Sequence, residues 1–344
     1  MRAPERPSRS QVRPTGCLQR FVPAVAALCV LLGTQAAASI AQAQQPGAWP
    51  SRPVRMLVGL PPGGTTDLMV RATAARLSDG VGQSVVVDNR PGASGAIAGE
   101  LIARATPDGH TLGLVTTSTH SVAPLLLSVP RFDPRRDFTH VTLVGTTPYV
   151  LLSSAAFPAK TMREAIDYLR ANSGRLNYAS AGAGTLGHLI TEAFLTELRV
   201  SMTHVPYKGA APVYPELMAD RISLFFDNPG SSVQLVKAGK VRALAVSRPV
   251  AVLPGVPTLI EAGLKGFDPV FWYGVVGPAG IPRPVVERVQ GELAKSFSSD
   301  AGRAELAGFG VDAVLSRPEA FEAQNRADIE RWGKVAKALG LKID

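Results

Sequence analysis

The chain has 344 residues, 46% of them apolar, 18% charged and 6% aromatic. That length fits about two cores, and that balance excludes a disordered or coiled-coil protein. Of the formal charge of +9, only +5 remains beyond residue 43, a mild excess that does not call for a polyanionic partner.

The chain opens on an export segment. Arg2, Arg6, Arg9, Arg13 and Arg20 supply a basic start, residues 21–33 are apolar, and Ala41-Gln42-Ala43 supplies a small-x-small cleavage pattern, so residues 1–43 are expected to be a signal peptide cut near Ala43. The apolar run is too short for a bilayer core, which needs about 20 residues, so a retained anchor is the weaker alternative. Cys17 and Cys29 both lie in this segment. The exported chain would then carry no disulfide, no thiolate metal site and no cysteine nucleophile. Cys29 follows Ala26-Ala27-Leu28, which lacks the larger aliphatic residue of a lipid-modification site. The expected product is a soluble protein of the bacterial cell envelope.

Beyond it, β-branched runs at 54–60, 85–87, 111–115, 141–145, 149–152, 176–179, 202–205, 222–226 and 243–246 read as strands. They alternate with helix-period stretches, the pattern of βαβ units around a mostly parallel sheet. The first glycine-rich turn, Gly59-Leu60-Pro61-Pro62-Gly63-Gly64-Thr65-Thr66-Asp67, follows the first strand and precedes a helix whose Leu68, Ala72 and Ala75 share one face. The densest basic stretch comes next: Arg131, Arg135 and Arg136 alternate with Asp133 and Asp137 and are not interleaved with aromatics, so no nucleic-acid partner is expected. Thr161-Met162-Arg163-Glu164 is a capping box opening a helix with Met162, Ala165, Ile166 and Leu169 at core spacing. Ser316-Arg317-Pro318-Glu319 repeats the device before a long helix carrying Ile329, Trp332, Val335 and Leu339. The least helical passages, 141–154 and 266–284, would let the chain leave one lobe, build a second and return.

The second glycine-rich turn, Ser180-Ala181-Gly182-Ala183-Gly184-Thr185-Leu186-Gly187-His188, also joins a strand to a helix. Glycine admits close backbone approach, and first-turn amides have no internal partner, so each turn could hold an anion. Each could equally be an ordinary βα turn with Thr65, Thr66 or Thr185 capping its helix. The pair becomes a site only if the fold brings the turns together. Gly182, Gly184 and Gly187 also spell GxGxxG, but the expected acidic ribose ligand is missing from 203–208, which disfavours a dinucleotide.

No GxSxG or HExxH occurs, and the five histidines, His110, His120, His140, His188 and His204, form no close ligand pair; no catalytic residue, metal or cofactor is expected. Thr116 to His120 and Asp227 to Ser232 offer further polar loops after strands. Segments 60–66, 116–119 and 180–187 contain no Lys or Arg, so neutral donors and helix ends would hold the ligand. Arg90 and Lys208 are the nearest cations along the chain.

Six ordered motifs then carry a resemblance: 62–67 (PGGTTD), 87–95 (VDNRPGASG), 107–112 (PDGHTL), 176–185 (LNYASAGAGT), 204–209 (HVPYKG) and 226–228 (FDN). They resemble the extracytoplasmic solute receptors of tripartite tricarboxylate transporters, the Bug receptors, from about Trp49 to Gly340. The resemblance implies an α/β, type II-like periplasmic binding protein. Its two lobes, 44–147 with 271–344 and 148–270, would be joined by two crossing strands around a ligand cleft. It implies that Gly63, Gly64, Thr65, Thr66 and Asp67 face Ser180, Ala181, Gly182, Gly184, Thr185 and His188 and bind a carboxylate. Thr117, Ser118, Thr119, Tyr207 and Asp227 match positions lining the same cleft, with Asp67 either meeting a ligand ammonium or ordering its loop. Leu60 and Leu186-Gly187 depart from the family's more aromatic or polar residues there, implying a ligand larger or more apolar than citrate, malate or an acidic amino acid.

The expected function is a monomeric periplasmic receptor that delivers a small organic carboxylate to membrane permease subunits without a chemical step. The competing readings are an envelope sensing module for a signalling system and a secreted α/β hydrolase-like enzyme using the turns as an oxyanion hole.

Overall fold

The computed structural model describes residues 49–343; the export segment, both cysteines and Asp344 lie outside the described residues. In chain order the elements are β1 (Val54–Val58), α1 (Thr65–Val81), β2 (Val85–Asn89), α2 (Ala96–Ala103), β3 (Thr111–Thr116), a π-helical turn (Thr117–Val122), α3 (Ala123–Leu126), β4 (Phe138–Pro148) and β5 (Val150–Ser154). Then follow α4 (Met162–Ala171), β6 (Asn177–Ser180), α5 (Leu186–Leu198), β7 (Thr203–Pro206), α6 (Val213–Met218), β8 (Leu224–Asp227), α7 (Pro229–Lys237) and β9 (Val241–Val246). The chain closes with β10 (Val270–Pro278), α8 (Arg283–Phe297), α9 (Asp300–Gly308), β11 (Asp312–Ala313) and α10 (Pro318–Leu339).

These strands form two sheets, one in each of two lobes, in the orders β11-β4-β10-β3-β1-β2 and β7-β6-β8-β5-β9. The parallel part of each is built by βαβ units, as the alternation predicts: β1 pairs β2 and β3, and β6 pairs β7 and β8. Neither sheet is purely parallel. In one, β10 runs antiparallel to both β3 and β4; in the other, β5 runs antiparallel to β8 and β9.

The chain passes from one sheet to the other at Tyr149, the single residue between β4 and β5, and returns into β10. The two passages are hydrogen-bonded neighbours, Val270 lying opposite Pro148. The Ser247 hydroxyl ties them, accepting from the Tyr149 amide at 2.9 Å and donating to the Pro269 carbonyl at 2.7 Å.

Local signals hold at some elements and yield to tertiary partners at others. The Thr161 box forms: its hydroxyl accepts from the Glu164 amide at 3.2 Å while the Glu164 carboxylate takes the Thr161 amide at 3.3 Å. The Ser316 box does not. The Ser316 hydroxyl accepts from the Leu143 amide of β4 at 3.0 Å, and Arg317 becomes the N-cap of α10 without a side-chain bond. On α1, Leu68 and Ala75 point outward, and the buried face is Met69, Val70, Ala72, Thr73, Ala74 and Leu77.

One layer of the core contains histidines. His120 is wholly buried with both ring nitrogens unpartnered, its ring centroid 4.6 Å from Phe138 and 5.7 Å from His140. Burial lowers the pKa of His120 well below the usual histidine value and that of His140 to about 4; it also lowers His188, and His204 to about 4. Such groups are neutral in the fold and free to protonate when unfolded, so their stabilisation is complete above about pH 6.5 and lost as pH falls towards about 4. Asp227 and Asp328, raised by burial, act in the opposite sense and nearer their own range. The midpoint of thermal unfolding is therefore expected to fall between pH 6.5 and 5; a flat or rising profile in calorimetry would contradict the buried neutral state.

Candidate functional site

The amino-terminal ends of α1 and α5, which follow β1 of one sheet and β6 of the other, meet across an internal cavity of about 50 Å³. Its wall is Leu60, Pro61, Gly64, Thr65, Thr66 and Ser118 on one side, and Ala181, Thr185, Gly187, Gly209, Ala210, Phe226, Asp227 and Asn228 on the other. Tyr149 and Phe271, from the two crossing passages, close the back. A water needs at least about 10–15 Å³ of such space, so the cavity holds a few waters or one carboxylate head. Leu60, Pro61, Ala181, Thr185 and Gly209 also border a wider recess of about 560 Å³ that continues past Gly182, Tyr207 and Lys208 to Ser94 and Ile343.

Each turn is shaped by its own side chains. Gly64 is the extended N-cap of α1, at φ −98° and ψ 175°. Asp67 orders this turn: its carboxylate accepts from the Gly63 amide at 3.3 Å, the Arg71 guanidinium at 3.0 Å and the Asn89 side-chain amide at 3.2 Å. In the second turn the Thr185 hydroxyl caps α5, accepting from the His188 amide at 3.3 Å and donating to the Gly182 carbonyl at 2.8 Å. The Gly184 amide donates to His188 Nδ1 at 3.2 Å, which requires that nitrogen to be unprotonated, and the Leu186 amide donates to the Ser118 hydroxyl at 2.9 Å. What remains is informative: among the described residues the amides of Thr65, Thr66 and Gly187 have no hydrogen-bond partner, and all three residues border the cavity.

The cavity wall contains no Lys or Arg. Lys208 reaches only the outer recess, and Arg90 pairs with Asp88 at 2.9 Å. Asp227 is the one acidic residue in the wall; burial raises its pKa, and it accepts from the Tyr214 hydroxyl and from Ser231 Oγ, the latter at 2.7 Å. Tyr149 and Tyr273 are buried with raised pKa values, so their phenols stay protonated, and the Tyr273 hydroxyl sits beside Thr66 without a full hydrogen bond.

The expected site residues therefore divide. Gly64, Thr65, Thr66, Ser118, Ala181, Thr185 and Asp227 border the inner cavity, while Gly182 and Tyr207 border the recess. Gly63, Asp67, Thr117, Thr119, Ser180, Gly184 and His188 border neither. Thr117 instead accepts from the Trp272 amide at 2.9 Å, Thr119 pairs with Thr116, and Ser180 meets His204 Nε2 at 2.7 Å. That Ser–His contact has the spacing of a nucleophile and base, but Ser180 is buried and borders neither space. The aromatic residues Tyr149, Phe226 and Phe271 of the wall lie outside the expected set; Tyr149 and Phe271 depend on where the crossing passages run, for which single-residue patterns carry no signal. Among the described residues no cluster of three His, Cys, Asp or Glu side chains could hold a metal, and no helix is long and apolar enough to cross a membrane.

A family model described as tripartite tricarboxylate transporter family receptor matches residues 69–341. Protein BugT of Bordetella pertussis is 30% identical over 312 residues, covering 90% of this chain and 95% of that protein. Among solved structures, Rpa4515 of R. palustris with adipate superposes at a TM-score of 0.82 with 36% identity, covering 86% of this chain and 99% of the other. MatC (Rpa3494) of Rhodopseudomonas palustris with bound malate superposes at 0.78 with 31% identity, covering 83% of this chain and 99% of the other.

Proposed function

The chain belongs to the receptors of the tripartite tricarboxylate transporter family, and from that membership we propose that it is a periplasmic receptor binding a small organic carboxylate for the permease subunits of such a transporter. One observation carries the carboxylate: unpartnered first-turn amides at Thr65, Thr66 and Gly187, on helices from opposite lobes, open onto one cavity without a cation in its wall. Helix ends favour an anion by roughly 0.3–1 kcal/mol each, up to about 2 kcal/mol when partly buried. A ligand touching both ends would favour the closed arrangement, since only a contact made better in one state shifts the balance.

We assign Gly64, Thr65, Thr66, Ser118, Ala181 and Thr185 to ligand contact, and Gly182 and Tyr207 to the entrance. Gly63, Asp67, Ser180, Gly184 and His188 shape the two turns, Thr117 and Thr119 hold the segment that carries Ser118, and Asp227 closes one wall. The inner space suits a carboxylate head, while the rest of the guest extends into the recess, which supports a longer or more apolar acid. The adipate and malate held by two relatives make dicarboxylates the first probes. Export with cleavage near Ala43, lobes at 44–147 with 271–344 and 148–270, a monomeric state and binding without a chemical step complete the proposal.

The test is a thermal-shift screen of mono-, di- and tricarboxylates on refolded protein, because a bound guest raises the melting temperature in proportion to RT ln(1 + [L]/Kd). At least one carboxylate is expected to raise it by several degrees. Stabilisation by sugars or cationic amino acids with none by carboxylates would overturn the assignment. Thr185→Ala removes the α5 cap and the bond to Gly182, and is expected to weaken binding of the best acid by about 1 kcal/mol, roughly fivefold, in titration calorimetry.

A further inference from the structure

We propose that Ser231, which does not border the cavity, is a positioning residue that fastens the two lobes together through a hydroxyl relay from Thr65 to Asp227. The inference rests on the receptor reading above and adds to it what holds the cleft shut. Ser231 stands in the first turn of α7, after β8 of the five-stranded sheet, whereas Thr65 opens α1 after β1 of the six-stranded sheet. The Ser231 amide donates to Thr65 Oγ1 at 2.9 Å, the two hydroxyl oxygens lie 3.1 Å apart, and Ser231 Oγ donates to Asp227 Oδ2 at 2.7 Å.

The protons can be placed. The hydroxyl proton of Ser231 goes to the Asp227 carboxylate, and its amide proton goes to the Thr65 oxygen. The Thr65 hydroxyl proton is thus left to point at Ser231 Oγ. The Tyr214 hydroxyl donates to the same carboxylate oxygen and lies 3.0 Å from Ser231 Oγ. The hydrogen bonds of the relay run in one direction and end on the Asp227 carboxyl group, an arrangement in which the bonds strengthen one another in a poorly hydrated interior. Thr65, Tyr214 and Asp227 are all buried.

The backbone has been brought close to make this contact. A side-chain carbon built on Gly230 would lie 2.6 Å from Thr65 Cγ2 and 3.0 Å from the Phe309 carbonyl oxygen, so only glycine lets α7 reach the opposite lobe. Among the described residues, the hydroxyls of Ser118 and Ser94 also bridge the lobes, to the Leu186 amide and the Ala183 carbonyl. Ser118 borders the inner cavity and Ser94 the recess, so a guest would perturb both. Ser231 itself borders neither space, although its partners Thr65 and Asp227 border the inner cavity, and its bridge joins lobe to lobe with no guest present and so stabilises closure before one arrives.

The chain beyond residue 43 contains no cysteine, so labels can be placed at will. Asp79→Cys and Lys240→Cys mark exposed positions on the two lobes. The protein, expressed with its export segment and recovered after export, is refolded free of ligand, and pulsed electron spin resonance then measures the distance between spin labels at the two sites. A short-distance population is expected in the otherwise unchanged chain. Its ratio to the long-distance population should fall about fivefold in Ser231→Ala and in Thr65→Val, and return in Ser231→Thr, which restores the hydroxyl. Unchanged ratios in both variants, or a parent chain with only the long distance, would overturn the relay. If no carboxylate stabilises the protein yet Ser231→Ala opens it, the relay stands and the ligand assignment falls. If a carboxylate stabilises the protein and neither variant changes the ratio, the ligand assignment stands and the relay falls.

Discussion

Replacing Gly64 by valine is expected to raise the dissociation constant of the best carboxylate at least about a hundredfold, about 3 kcal/mol, while leaving the circular dichroism spectrum of the protein unchanged. The backbone at Gly64 is extended, at φ −98° and ψ 175°, a region that β-branched residues occupy readily. A side-chain carbon built there lies 3.7 Å from the Ala210 methyl of the other lobe, an ordinary contact. The two further methyls of valine have only the small cavity and the seam between the lobes to enter. They take the guest's place and hold the lobes apart. The cost to the fold is that of a poorer N-cap, roughly 0.5–1 kcal/mol. Gly184 would be a less discriminating choice, because it sits at φ +76° and its added carbon would lie 2.2 Å from Ile343 Cδ1, so loss of binding there would mix with local strain. Titration calorimetry on Gly64→Val giving an affinity within threefold of the parent would sink the assignment of this cavity.

The largest effect on stability is expected at Phe321, where alanine should cost about 3–5 kcal/mol in urea unfolding. The ring is fully buried on α10 and meets Trp272 edge to face at 5.2 Å and His140 at 4.9 Å. It also occupies the space above Gly274: a side-chain carbon there would come within 2.1 Å of the ring. A strand position without a side chain cannot fill the void left by the ring, so the cavity term stays close to its maximum. The same helix is pinned nearby by the Trp272 indole, which donates to Asp328 at 2.7 Å and limits how far α10 can settle inward. A loss under about 1.5 kcal/mol would mean that the helix is anchored elsewhere.

Much of this architecture is legible in residue patterns, for identifiable reasons. Runs such as 54–58 and 111–116 are strands buried on nearly every face, so their mostly apolar continuity is a strong signal. The turn at 62–67 is legible because glycine, threonine and aspartate there serve the local backbone, as the Asp67 contacts to Gly63 and Arg71 show. The buried face of α1 is harder to read, because Thr73 satisfies its own hydroxyl on the Met69 carbonyl at 2.7 Å and so enters the core as a polar residue. The strand β10 reads only as a non-helical passage, since its glycines look like turn residues. In the fold they are places where Phe321 and Ile281 press against the sheet. Ser316 has the local signature of a cap but is claimed by Leu143 from another element. At the site, the two turns are legible singly and their meeting is not, because it depends on the path through Tyr149 and back at Val270.

That path has a consequence for the order in which a chain emerging from its amino terminus can fold. The strand that completes the middle of the six-stranded sheet, β10, starts 24 residues after the last strand of the five-stranded sheet ends at Val246. A chain emerging from its amino terminus can therefore finish the inner module while the outer one still lacks its central member. The outer module, begun first, is completed last, and until then β3 presents one unpaired edge and β4 two, edges open to wrong pairing.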